Sequence, residues 1–312
     1  MAKTVLSFGE VLWDLLPDAT ILGGAPFNFA YRINSLGDRG YMISRLGDDE
    51  LGDQAFSQVV KLGLETTFLQ RDNHFPTGTV HVMFDESHNP DYEIIPNVAY
   101  DHIFFAPEIA KAMASADCLC FGTLAQRSAT SRETCEKMLQ HASNCLLFLD
   151  INLRKACFSP ETIQSSLQAA HILKLNETEA GQLAEILDTG TTTIPDFAAK
   201  MIAQWELDYC LVTLAEKGVY AHSQTGEQLY IPGYRVVLVD SLGAGDAFSA
   251  GFIHKILRNA SMKEACEFGN VLGAIVATQA GATAAITAQH LAAFQQQSHD
   301  RIVAPQFEKY AD

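Results

Sequence analysis

The chain has 312 residues, 48% of them hydrophobic and 19% charged, with 37 acidic against 21 basic side chains and a formal charge of −16. That composition suits a soluble globular chain, long enough to bury its own core without disulfides or structural metals. The acidic balance excludes the Lys/Arg-rich surfaces by which proteins grip nucleic acid or anionic membranes, so any bound nucleotide must be met by backbone amides and a divalent cation.

The first strand-like run is Thr4-Val5-Leu6-Ser7-Phe8, ended by Gly9-Glu10, with Asp14 shortly beyond. Met1-Ala2-Lys3 leads straight into it without the look of a signal peptide, and no apolar stretch is long enough to span a bilayer, so the expected location is the cytoplasm. Residues 12–27 carry a turn at Pro17-Asp18 and the pair Gly23-Gly24. A strand at 41–44 follows, ended by Gly47-Asp48-Asp49, and 52–62 has apolar residues at helical spacing. Residues 77–96 read as a hairpin, 79–84 and 92–95, with its turn around Asn89-Pro90. Segments of about 12–27 and 77–98 are expected to form a small β lid inserted in one domain spanning 1–312.

Further strands are expected at 117–121, 146–149, 172–175 and 209–212, with helical spacing at 161–170 and 196–204. They end in Gly122-Thr123, in Asp150-Ile151-Asn152-Leu153-Arg154, in Asn176-Glu177-Thr178-Glu179 and in Thr213. Near-continuous apolar strands alternating with helices predict an α/β fold of three layers, a mainly parallel sheet with helices on both faces. Polar residues and glycines at six successive strand ends mark the carboxyl edge of that sheet, where open α/β sheets bind ligands. The seven cysteines are scattered, which suits a reducing compartment. Cys118-Leu119-Cys120 reads as buried packing, and the histidines show no metal-ligand spacing.

The stretch carrying most chemistry is Val239-Asp240-Ser241-Leu242-Gly243-Ala244-Gly245-Asp246-Ala247-Phe248, followed by Phe252, Ile253, Ile256 and Leu257 at helical spacing. Glycines let backbone approach a ligand closely, and a helix start presents unpaired N–H groups at the positive end of its dipole. Together they make an anion hole for a transferring phosphoryl group, beside which Asp246 can accept a hydroxyl proton. The bland alternative is a tight turn in which Asp246 merely caps the helix. A dinucleotide fold requires its glycine fingerprint in the first βα turn, where this chain has none.

The chain resembles the ribokinase-like (PfkB) carbohydrate kinases, and within them most resembles bacterial fructokinases. The resemblance rests on Asp240–Asp246, with Ser241 where threonine is commoner, and on Gly23-Gly24-Ala25-Pro26-Phe27-Asn28-Phe29-Ala30. It rests also on Arg45-Leu46-Gly47-Asp48-Asp49-Glu50-Leu51-Gly52, Ala99-Tyr100-Asp101, 150–154 and Asn176-Glu177-Thr178-Glu179, in the family's order over nearly the whole chain. It implies that Asp246 is the catalytic base and that Gly243, Ala244 and Gly245 form the anion hole. It implies sugar binding by Asp14, Gly23, Gly24, Asn28, Asn152 and Arg154. ATP is expected at Asn176, Thr213, Gly218, Gly243, Gly245 and Asn270, with Glu179 serving Mg²⁺ through water. In the nucleotide-side turn Thr213-Leu214-Ala215-Glu216-Lys217-Gly218, Ala215 stands where the family has glycine. Asp240, Leu242, Val276, Gln279 and Gly281 match the family's monovalent-cation site, which implies K⁺.

The implied activity is transfer of the γ-phosphoryl group of MgATP to a primary hydroxyl of a small sugar, fructose giving fructose 6-phosphate. The alternatives are 2-keto-3-deoxygluconate, ribose or aminoimidazole riboside as acceptor, or a non-catalytic sugar sensor. Sugar and ATP are the expected partners, with neither nucleic acid nor membrane. Val80, Val82, Ile94 and Ile95 offer a lid edge that pairs with a second lid in a homodimer or covers the chain's own site.

Overall fold

The computed structural model describes residues 1–84 and 90–311. In chain order its strands are β1 (Thr4–Phe8), β2 (Leu12–Leu16), β3 (Ala19–Gly23), β4 (Arg39–Gly47), β5 (Leu69–Asp72), β6 (Gly78–Phe84), β7 (Pro90–Ile94), β8 (Cys118–Phe121), β9 (Leu146–Asp150), β10 (Ile172–Asn176), β11 (Tyr209–Thr213), β12 (Val219–Ser223), β13 (Gln228–Ile231), β14 (Gly233–Tyr234) and β15 (Arg301–Ile302). The helices are α1 (Ala25–Ser35), α2 (Glu50–Lys61), α3 (Pro107–Met113), α4 (Ala129–Gln140), α5 (Pro160–Ala169), α6 (Glu177–Ile186), α7 (Ile194–Trp205), α8 (Ala244–Ile256), α9 (Met262–Ala277) and α10 (Ala288–Gln296).

The main sheet runs β13-β12-β11-β10-β9-β8-β1-β4-β5. Every pairing from β11 to β5 is parallel, whereas β12 and β13 close one edge antiparallel. Neighbouring residues of each buried strand serve opposite faces. Val5, Cys120, Phe148, Ile172 and Leu211 meet Phe29, Ile33, Phe248, Phe252 and Met262 from α1, α8 and α9. Leu6, Leu119, Leu149, Leu173 and Val212 meet Ile109, Met138, Ile163, Leu183 and Phe197 from α3 to α7. This two-sided burial is what near-continuous apolar strands require. Removing one such side chain from water, Phe252 for example, contributes about 1.5–3 kcal/mol.

The smaller sheet, β3-β2-β6-β7, joins β2 to β6 in parallel and its outer pairs antiparallel. Proline within its first turn starts α1 at Ala25, so 25–27 belong to that helix rather than to the small sheet. Val80 is buried in the main core, with Ile94 and Ile95 packed against it. Asn89, in the expected hairpin turn, lies outside the described residues, as does the side chain of Val82. The seven cysteines are buried and free, and among the described residues no helix is long and apolar enough to cross a membrane.

Candidate active site

Parallel strands bring their carboxyl ends to one edge, so Glu10, Asp150, Asn176 and Thr213 gather there from β1, β9, β10 and β11. The loop ending in Gly243 delivers α8 to the same edge. Gly243 precedes that helix with φ 76, in the left-handed region that favours glycine, and a side chain there would collide with Ala282. No side chain caps α8; the Ala244 amide donates to the Ser241 carbonyl at 3.2 Å, and the amides that follow it in the first turn are left for a ligand. Asp246 lies in the first helical turn but does not cap it. Its Oδ2 instead accepts a hydrogen bond from Asn28 Nδ2 at 2.8 Å.

Asn28 belongs to α1, whose start is shaped by two glycines. Gly24 has φ 113, and a side chain there would strike the Glu10 carbonyl. At Gly23 an added Cβ would come within 2.9 Å of Asp14 Oδ2. These glycines let three carboxylates, those of Glu10, Asp14 and Asp246, share one region. Burial pushes the Asp14 carboxyl up to about 6, against the pull of Arg154. Burial likewise raises Glu10 to about 7; the Arg154 charge opposes this and the Asp246 charge adds to it. Asp246 is raised to about 6, first by burial and then by the charge of Asp150; Lys174, the Asn28 hydrogen bond and Arg154 restrain it. Arg154 itself is exposed and acts on all three carboxylates through its charge. Asn152 stands beside Glu10 and Asp150 with φ 45, in the left-handed region that asparagine tolerates better than most residues other than glycine. The Oδ1 of Asn28 is buried and has no partner within the chain.

Sequence reasoning missed Glu10 as a site residue, and it missed Lys174. Lys174 sits in β10 in the middle of an apolar run, which reads simply as strand. In the fold its Nζ lies 3.0 Å from each carboxylate oxygen of Asp150, and Ser249 Oγ donates to Asp150 Oδ2 at 2.9 Å. A Cβ added to Gly245 would lie 3.4 Å from that ammonium. Burial would lower the Lys174 pKa, but Asp150, Glu179 and Asp246 raise it above the ordinary value, so the group is charged. The available signal was a lysine among the apolar residues of a central strand, since Lys is almost never fully buried unless paired.

On the other side of Gly245 lies a cleft of about 530 Å³, within the roughly 300–1,000 Å³ range of small-molecule sites. Its walls include Asn176, Thr213, Ala215, Gly218, Gly245 and Asn270. Thr213 Oγ1 donates to the Leu175 carbonyl at 3.3 Å. Asn270 Nδ2 donates to the carbonyls of Ile231 and Pro232 at 3.2 and 3.4 Å. Ala215 has φ 52, so the residue standing in place of glycine adopts the backbone for which glycine is suited.

Asn176 and Glu179 form a capping box on α6. Asn176 Oδ1 accepts from Glu179 N at 2.8 Å, and Glu179 Oε2 accepts from Asn176 N at 2.9 Å. Glu179 Oε1 accepts from Leu153 N at 3.0 Å, tying the loop after β9 to the start of α6. Each carboxylate oxygen is thus oriented by one amide and keeps a further lone pair. Among the described residues no group of three His, Cys, Asp or Glu side chains is placed to hold a metal by itself. Asp240 accepts from Leu242 N at 2.9 Å and from Gly281 N at 3.0 Å, joining the loop before α8 to the one after α9. Of the other residues matched to the cation site, Val276 is buried, with its carbonyl accepting from Gln279 N, and Gln279 Oε1 is buried and unpartnered.

The sequence profile of the pfkB family carbohydrate kinases matches residues 19–289. A probable fructokinase-5 of Arabidopsis thaliana is 27% identical over 315 residues, covering 92% of this chain and 95% of that protein. Fructokinase-2 of Solanum habrochaites is 26% identical over 309 residues, covering 90% of this chain and 92% of that one. Among solved structures, a Vibrio cholerae O395 fructokinase bound to fructose, ADP and calcium ion is 25% identical, with a TM-score of 0.80 over 94% of this chain and 98% of that one. A Xylella fastidiosa fructokinase with bound ATP, at 22% identity, shares the fold with a TM-score of 0.81 over 95% and 99% of the two chains.

Proposed function

The chain belongs to the pfkB family of carbohydrate kinases and is a sugar-phosphorylating phosphotransferase of ribokinase-like fold; from that premise we propose that its acceptor is fructose, phosphorylated on a primary hydroxyl by ATP to give fructose 6-phosphate. One observation carries the reading: Asp246 is held by Asn28 at the uncapped, glycine-led start of α8. A sugar hydroxyl placed against Asp246 faces the glycine turn 243–245 at the start of α8, where amides not spent within the turn suit the charge of a transferring phosphoryl group. Asp246, raised to about 6, is mostly ionised near neutral pH. It is still far too weak a base to strip a free hydroxyl, so it takes the proton as the new P–O bond forms.

Asp14, Asn28, Asn152 and Arg154 bind the sugar in this reading, beside the space that Gly23 and Gly24 leave. Glu10 joins them as a further acceptor. The nucleotide takes the cleft walled by Asn176, Thr213, Gly218 and Asn270. Mg²⁺ bound with ATP supplies charge neutralisation of the phosphates, and Glu179 orients its water shell from lone pairs its amide partners leave free. The unpartnered Oε1 of Gln279, close in sequence to the Gly281 amide on Asp240, favours a monovalent cation such as K⁺ there. The small sheet serves as a lid, and water exclusion by it suppresses ATP hydrolysis.

A panel of sugars in a coupled ADP-release assay tests the acceptor. The expected result is highest kcat/KM with D-fructose over 2-keto-3-deoxygluconate, ribose and aminoimidazole riboside. Preference for a riboside or a sugar acid would reassign the acceptor but leave the kinase class intact. Sugar binding without turnover would instead support a sensor.

A further inference from the structure

Arg32 lies one helical turn beyond Asn28 on α1 and is 1% exposed. No carboxylate pairs with it among the described residues, and its guanidinium carbon lies 5.3 Å from the centroid of the neighbouring Tyr31 ring. Its Nη2 donates to the carbonyls of Ala282 and Ala284 at 3.1 and 3.0 Å, while Nε and Nη1 are buried without partners. Burial lowers its pKa from the usual value. A buried guanidinium with two unmet donors destabilises a core that Leu or Met would fill at no such cost. Core packing alone therefore does not account for it.

The carbonyls it holds do. Ala282 is the residue that lies behind Gly243: a Cβ built on Gly243 would sit 2.7 Å from Ala282 Cα. Gly281, next to it, donates to Asp240 at 3.0 Å. The 281–284 segment is thus the rear wall of the glycine turn, anchored by Asp240 at one end and by Arg32 at the other. One helix touches the turn twice. Asn28 holds Asp246, and Arg32, four residues on, holds the wall behind Gly243.

We propose that Arg32 is a positioning residue for phosphoryl transfer: it clamps 282–284 against Gly243, so the amides at the start of α8 are fixed before charge develops on them. The proposal rests on reading 243–246 as the phosphoryl site. Its test compares Arg32→Met and Arg32→Lys with the wild type, using the best sugar of the panel. Three quantities are read: kcat with both KM values, affinity for MgADP plus aluminium fluoride as a mimic of the transferring group, and Tm. In Arg32→Met, kcat falls roughly 30-fold and aluminium fluoride affinity weakens by a similar factor, as small misplacements of catalytic groups do. Both KM values stay within about threefold, and Arg32→Lys, which keeps a donor for the carbonyls, regains most of the loss. A folded Arg32→Met enzyme with kcat within about threefold of wild type overturns the proposal, as does a rise in KM in place of the fall in kcat. Should Arg32→Met not fold, Arg32→Gln, a polar side chain too short to hold both carbonyls, replaces it; kcat unchanged there overturns the clamp. Asp246→Asn serves as the separate control. If it retains turnover, the site itself is misread; if it is inactive while Arg32→Met is normal, only the clamp is wrong.

Discussion

The two halves of the site are built by opposite means. Around Asn28 the chain supplies charge: Glu10, Asp14 and Asp246 come from three elements, all with raised pKa values and one shared counter-charge, Arg154. On the far side of Gly245 it supplies room, through Ala215, Gly218, Gly233, Gly273 and Ala274. The difference follows from the ligands proposed for each half. A sugar presents hydroxyl donors, which carboxylates accept. Phosphates are repelled by carboxylates and are met by free amides at a helix start, and a purine needs space. Lys174 stands at the boundary, next to Gly245 and in the field of Asp246.

If the halves are as distinct as this, substitutions should separate them. Asp14→Ala removes a charged acceptor from the sugar half; the KM for fructose should rise about 10–100-fold, with the KM for ATP within about threefold. Parallel losses on both substrates would dissolve the distinction. Lys174→Met, at the boundary, should lower kcat roughly tenfold, consistent with one electrostatic contact to developing charge. The same variant moves the pH profile in a defined direction. The base works when deprotonated, so wild-type kcat rises with pH through about 6. Lys174 lowers the Asp246 pKa, so its removal shifts that limb to higher pH; a profile shifted downward, or not at all, counts against the contact. In the room-giving half, Ala274→Leu fills part of the cleft and should raise the KM for ATP about tenfold without altering the KM for fructose. The smallest effect is expected at Ala215. Relieving its left-handed backbone with Ala215→Gly should stabilise the fold by about 0.5–1 kcal/mol, read as a modest rise in Tm; a fall would mean that the alanine methyl matters more than its φ.

Most of this architecture is legible in the chain because buried parallel strands advertise themselves as apolar runs. The strands at 4–8, 146–150 and 172–176 stand out for that reason. The edge strand β5 does not: it reads Leu69-Gln70-Arg71-Asp72, and β12 and β13 hold only three-residue apolar runs, broken by His222, Ser223 and Gln228. Site residues divide similarly. Gly24, Asn28 and Asp246 carry local signals, in glycine pairs and a helix start. Glu10, Asp150, Lys174 and Arg32 owe their significance to partners 24 to 252 residues away in sequence, and pairings of that range are created by sheet order and helix packing. Ala215 shows the local kind of information at its best, since a departure from glycine at one position corresponds to a positive φ in the fold.

The central claim is that Asp246 receives the sugar proton beside the amides of α8, and Asp246→Asn tests it most directly. The amide keeps nearly the shape of the carboxylate but has little basicity. Calorimetric titration with D-fructose alongside coupled ADP release should show sugar affinity within about threefold of wild type and kcat lower by about 10²–10⁴-fold, the range of general-base contributions. Turnover close to wild type in that variant would contradict the account.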